Sequence, residues 1–289
     1  MLKKSFLFAL ICVCAYAICF ACLKATQTAY AQPVSAEPVQ GAEIKLPILM
    51  YHKVFTHTTG RYVVSPQQLE NDFIAIKEAG FTPVFMREVI DWVDGRGTLP
   101  EKPIVITFDD GHYNNLYYAL PIAKKHNVKI MVSPITSYSK FSLESGDHSN
   151  PKYSYLTWEQ LREMTESGLC EIGNHTHHMH EFKPRFGISK LSAEDDAEYE
   201  RELRADIEHS NALIMGSGCA HPTTFAYPFG KYNKKAREIL VDMDFRALLT
   251  CNELVSTVTQ GDPTTLHQLG RFNREGDYST EKVLKLISK

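Results

Sequence analysis

The chain has 289 residues, 44% of them apolar and 22% charged, with a formal net charge of −3. That is ordinary globular composition, long enough for one large α/β domain or two small ones. With no stripe of Lys and Arg interleaved with aromatics, it argues against a nucleic-acid binder, which must neutralise phosphates.

The N-terminus reads as an export signal. Lys3 and Lys4 precede an uncharged apolar run from Ser5 to Leu23, and Ala29-Tyr30-Ala31 supplies a small-x-small cleavage site, so residues 1–31 are assigned as a signal peptide. The alternative is a retained membrane anchor, because the run is nearly long enough to span a bilayer. Either way the folded part is expected outside the cytoplasm, in the cell envelope or beyond. Cys12, Cys14, Cys19 and Cys22 lie in this segment. Cys170, Cys219 and Cys251 are widely spaced and can form at most one disulfide. Residues 32–45, rich in Pro, Ala and Gln, read as a tether.

From Leu46 strand-like and helix-like stretches alternate. "LPILMYH" is a short apolar run, and Pro66 to Ala79 has helical spacing before Gly80. "FTPVFM" is extended and "REVIDWVDG" helical. "IVITF" is a strand, "NLYYALPIAKKHN" a helix and "KIMVS" a strand. "TWEQLREMTESG" carries a Thr cap and a Gly stop. "CEIGNH" is a strand, Asp195–Met215 a long amphipathic helix, and "TTFAYPFG" a strand entering a turn. "KKAREILVDM" is a helix, "FRALLT" a strand, and Thr280–Ile287 a last helix. Residues 133–156 and 181–194 read as long polar insertions after strands. About seven β-then-α units in one α/β domain favour a closed parallel barrel, with an open doubly wound sheet as the rival.

Three strand ends carry chemistry-bearing residues, and in both rival folds ligands collect at the carboxyl ends of strands. "VITFDDGH" ends in Asp109 and Asp110, which would repel unless a cation sits between them. An Asx-turn explains one of these acids far better than both. The functional reading divides their work: Asp110 ligates a divalent metal, and Asp109 stays unligated as a general base toward a water made acidic by that metal. "GNHTHHMH" supplies His175, His177, His178 and His180. His175 and His180 have zinc-type spacing, but His175/His178 and His177/His180 are rival pairs, and a solvated His-rich loop is the bland alternative. "YPFG", residues 227–230, is either a simple proline turn or one aiming a backbone N–H at oxyanion charge. His52, after "ILMY", is a pocket residue or a hydrogen-bonded rim histidine.

Together, "TFDDG", "GNHTHHMH" and "YPFG" on successive strands resemble the polysaccharide deacetylase family, with the NodB-homology domain of carbohydrate esterase family 4. The resemblance spans residues 46–289. "LPILMYHKV" resembles the opening strand of the exported branch acting on poly-N-acetylglucosamine or peptidoglycan. The resemblance implies a distorted (β/α)7 barrel and a metal-dependent hydrolase removing N-acetyl groups from an envelope or extracellular polysaccharide, be it poly-N-acetylglucosamine, peptidoglycan or a chitin-like polymer.

It makes Asp109 the base and Asp110, His175 and His180 the metal ligands; His180 follows from a five-residue step, since position 179 is Met. Phe229 becomes the oxyanion-hole N–H donor. The family's third motif usually opens with an Arg bracing the base, where this chain has Ala226, and Arg271 in "LGRFNR" is the candidate substitute. His267 in "TLHQLG" is the late-histidine candidate for general acid. His and carboxylate donors suit Zn2+ first, with Co2+, Ni2+ or Fe2+ compatible. Rival functions on the same fold are a non-catalytic glycan-binding protein and a metal-dependent esterase or amidase for other acyl groups.

Overall fold

The computed structural model describes residues 41–289; the expected signal segment and most of the tether lie outside them. Seven parallel strands carry the fold: β1 (Ile48–Tyr51), β2 (Pro103–Asp110), β3 (Ile130–Pro134), β4 (Cys170–Ile172), β5 (Thr224–Ala226), β6 (Ala247–Leu249) and β7 (Phe272–Asn273). β1 pairs β2 in the register Ile48↔Val105, β2 pairs β3 through Thr107↔Met131, and β3 pairs β4 through Ile130↔Cys170. A single parallel bridge, Asn174↔Phe225, joins the β4 end to β5, and β5 pairs β6. The bridge Leu249↔Leu269 then leads to β7, which pairs back onto β1 through Phe272↔Leu49. The ring therefore closes as a seven-stranded barrel, distorted because two of its seams narrow to one bridge. The open-sheet rival is excluded.

Helices α1 (Pro66–Glu78), α2 (Met86–Val93), α3 (Leu120–His126), α4 (Thr136–Ser145), α5 (Trp158–Glu166), α6 (Asp196–Gly216), α7 (Lys234–Asp242) and α8 (Thr280–Ile287) fill the connections. Their starts follow capping chemistry. Ser65 and Thr157 accept from the third helical N–H while Gln68 and Gln160 reach back, closing capping boxes on α1 and α5. Asp195 and Ser279 cap α6 and α8.

β2 explains the core. Ile104, Ile106 and Phe108 pack outward among residues from α1, α3 and α5, whereas Val105 packs with Ile48, Met131 and Leu249 in a second cluster. Successive strand side chains alternate in direction, so Thr107 and Asp109 share the inward parity of Val105. Burying both faces makes the strand read as one apolar run.

Two expectations are corrected. Glu43–Leu46, mostly inside the expected tether, is a strand pairing antiparallel with Ser256–Thr259. Within the expected polar insertion 133–156 lies α4, whose buried side is made of Thr136, Ser139 and Ser142 while Phe141 and Leu143 face solvent. That inverted pattern carries no apolar helical period, so hydrophobic spacing alone could not reveal it. Cys170, Cys219 and Cys251 are all free thiols.

Candidate active site

The C-terminal mouth of the barrel gathers Asp109, Asp110, His175, His180 and Arg271. Asp109 is still in β2 and points inward, where Arg271 meets it with both terminal nitrogens, Nη1 to Oδ1 and Nη2 to Oδ2, each at 2.8 Å. Arg271 is fully buried and also donates from Nε to the Thr250 carbonyl. The brace expected at position 226 thus comes from beside the last strand, which closed topology brings near β2. Burial pushes the Asp109 carboxyl up, but the Arg271 charge, then His175, outweighs it and the acid lies below its ordinary range.

An extended continuation would send Asp110 out under the helices. Instead Asp110 and Gly111 take left-handed φ values of 70° and 74°, turning the chain so that both acids face one mouth. A Cβ at Gly111 would lie 2.7 Å from the Pro134 Cβ, so this position requires glycine by both space and conformation. Thr176 (φ 74°) and Phe229 (φ 57°) are also left-handed. For a β-branched threonine this is an outlier, and such strain concentrates at functional sites.

The Nε2 atoms of His175 and His180 each lie 3.7 Å from Asp110 Oδ1. One donor atom from each of the three falls within 4.8 Å of the others. His175 Nδ1 is 2.7 Å from the Ala226 carbonyl, which can only accept, so the proton sits on Nδ1 and the Nε2 lone pair faces Asp110. Burial, helped by neighbouring His175, lowers His180 to about 4, keeping its imidazole neutral. These donors fit a borderline divalent cation.

The rival histidine pairs are resolved. Asp206 on α6 accepts the His177 and His178 backbone N–H groups at 2.8 and 2.7 Å, and the His177 ring packs on His209. Both histidines therefore turn toward α6, leaving His175 and His180 for the mouth.

His267 is not brought to this group. It precedes β7, so it lies at the opposite mouth, where the charges around it belong to Arg237, Arg246 and Asp262. His52 instead follows β1 at the correct mouth. Burial lowers it while Asp110 and Asp109 pull it up, and its Nδ1 is buried without a partner. The rule that sites lie at strand C-termini applied to His52 and spoke against His267.

Sequence reasoning passed over His112, whose Nε2 is 3.2 Å from Asp110 Oδ2 and whose ring stacks on Tyr155 at 4.8 Å. The Tyr138 ring lies 4.8 Å from that of Tyr155; burial raises both phenols, with the charges of Glu181 and then Asp110 adding at Tyr138 and that of Asp110 at Tyr155. On another side the Phe229 ring touches His180, Phe182 and Phe186. Apart from Phe229, none of these aromatics carries a motif that would single it out.

A parallel barrel with this strand-end constellation matches a known class. Residues 96–248 fit the family model for polysaccharide deacetylase, just over half of the sequence, and the chain belongs to that family. It is 24% identical over 272 residues to a poly-β-1,6-N-acetyl-D-glucosamine N-deacetylase of Escherichia coli strain K12, covering 84% of this chain and 40% of that one. It thus spans less than half the length of that relative. The solved structure of IcaB from Ammonifex degensii is similar with a TM-score of 0.69 and 26% identity, over 85% of this chain and 97% of that one. A de-N-acetylase from Aggregatibacter actinomycetemcomitans superposes with a TM-score of 0.72 at 23% identity, over 84% and 100% of the two chains. That second likeness speaks to the fold.

Proposed function

We propose that the chain is an exported, divalent-metal-dependent N-deacetylase acting on N-acetylhexosamine units of an extracellular or envelope polysaccharide of the poly-N-acetylglucosamine type. One observation carries this reading: a three-donor cluster, Asp110, His175 and His180, stands beside a second carboxylate that is held by Arg271 and not by the cluster. The names of the relatives support the substrate class. Residues 1–31 support export and leave a retained anchor open.

Asp110, His175 and His180 would hold the ion, Zn2+ being the first choice for one carboxylate and two imidazoles. When bound, such an ion supplies Lewis acidity toward the acetamide carbonyl and raises the acidity of a water. Asp109 takes the proton from the attacking water, and Arg271 fixes its orientation. The Phe229 N–H, presented by a left-handed turn after Pro228, donates to the developing oxyanion. His52 gives a proton to the departing nitrogen as the C–N bond breaks, leaving acetate and a free amine. His52 takes the acid role expected of His267 because it faces both aspartates.

Acetate release from β-1,6-linked N-acetylglucosamine oligomers tests the reading, with Zn2+-loaded, chelated and Asp109→Asn samples compared. Release from the loaded wild type alone supports it; equal release from all three sinks it.

A further inference from the structure

Phe182 is 70% exposed, yet it is not on a loose loop. Arg185 grips Glu194 through both guanidinium nitrogens, and Glu194 Oε2 also accepts the Leu191 N–H at 2.8 Å. Gly187 N–H bonds the Glu181 carbonyl at 2.9 Å. A Cβ on Gly187 would come within 3.0 Å of the Pro228 carbonyl oxygen, so this segment is pressed against the Pro228–Phe229 turn. The Tyr199 hydroxyl ties it to α6 by donating to the Ile188 carbonyl at 2.7 Å. Such fastening holds an apolar ring in water, at a cost that burial elsewhere would have avoided.

The ring continues the site. Phe182 stacks on Phe229 at 4.5 Å and 26°, Phe186 stacks on Phe229 at 4.8 Å and 5°, and Phe229 contacts the His180 ring at 4.5 Å. An aromatic shelf thus runs from a candidate metal ligand out to solvent.

We infer that Phe182, backed by Phe229 and Phe186, is a binding platform for a pyranose ring of the polymer next to the reacting N-acetylhexosamine. β-Linked hexosamines with equatorial substituents present an apolar face of axial C–H groups, which suits a fixed aromatic ring whose rim leaves hydroxyls hydrated. Exposed Glu181 and Lys183 flank Phe182 with opposite charges, a rim matching an uncharged hydroxylated polymer better than a lipid or a strongly charged surface. The inference rests on the proposed deacetylase reading and adds a subsite to it.

The test is the KM-against-kcat split of Phe182→Ala and Phe182→Trp on a β-1,6-linked N-acetylglucosamine pentamer, the monosaccharide and an aryl acetate. The platform predicts a KM about tenfold higher for Phe182→Ala on the pentamer, a penalty shrinking to about twofold or less on the two short substrates, and rescue by Phe182→Trp. An unchanged KM on the pentamer overturns it, as does an equal loss on all three substrates. So does an intact pentamer KM with a change only in self-association or in binding to phosphatidylglycerol vesicles. If the wild type deacetylates no sugar, the deacetylase reading fails separately. Pentamer-induced fluorescence change in Phe182→Trp, with binding lost in Phe182→Ala, then still decides the platform.

Discussion

Two buried arginines three residues apart, Arg271 and Arg274, flank the closing strand; each meets an aspartate, and the two pairs do opposite things. Arg274 meets Asp72 of α1, whose oxygens also accept from the Tyr51 hydroxyl at 3.0 Å and the Thr280 hydroxyl at 2.7 Å. Every donor is protein, and the pair ties α1, β1, β7 and α8 together. Arg271 meets Asp109 with two matched bonds, and Asp109 lies at the edge of the mouth beside the metal-type donors. The same ion pair thus serves as a sealed clamp in one place and, in the proposed reading, orients the base in the other. What separates structure from chemistry here is whether the remaining lone pairs are consumed.

Substitution should pull the two apart. Asp109→Asn is expected to lower acetate release by about 10²- to 10⁴-fold, the range for losing a general base, and also to lower Tm because Arg271 loses its counter-charge. Asp72→Asn should cost about 3–5 kcal/mol in urea unfolding, the usual penalty for stranding a buried partner, while kcat of the folded fraction stays within about twofold. A large kcat loss in Asp72→Asn would erase the distinction. His112→Phe keeps a ring against Tyr155 but removes the contact to Asp110, so Zn2+ affinity by equilibrium dialysis should weaken about 10- to 100-fold.

The smallest effect concerns Glu171 of β4, whose carboxylate is bonded to neither pair. Burial raises its carboxyl to about 7, although the Met86 and Arg87 N–H groups pull it down. An unfolded glutamate titrates near ~4.3, so between these values the folded chain holds more protons than the unfolded one. Its favourable contribution is complete below the unfolded value and disappears as pH rises through about 7. Glu171→Gln should therefore flatten the fall in Tm between about pH 5 and pH 8; an unchanged slope would contradict the assignment.

Much of the fold was legible because strands buried on both faces and well-capped helices leave strong local marks, as Ser65 and Thr157 do. Arg271 was legible through the family resemblance, which leaves a bracing arginine to be found once position 226 is alanine. The helix α4 was not, because serine and threonine occupy its buried side. Spacing could not choose among the four clustered histidines, since the choice rests on the left-handed turn at Thr176 and on Asp206 some thirty residues later. The late-histidine motif misled at His267 because motif context ignores which end of a strand a residue occupies.

The closing strand also sets an order of assembly. Asp109 and Arg271 stand 162 residues apart in sequence, so their pairing waits until β7 docks on β1. A chain whose last seam is still open therefore carries an acid lacking its counter-charge. Sealing the ring and fixing that carboxylate are one and the same event.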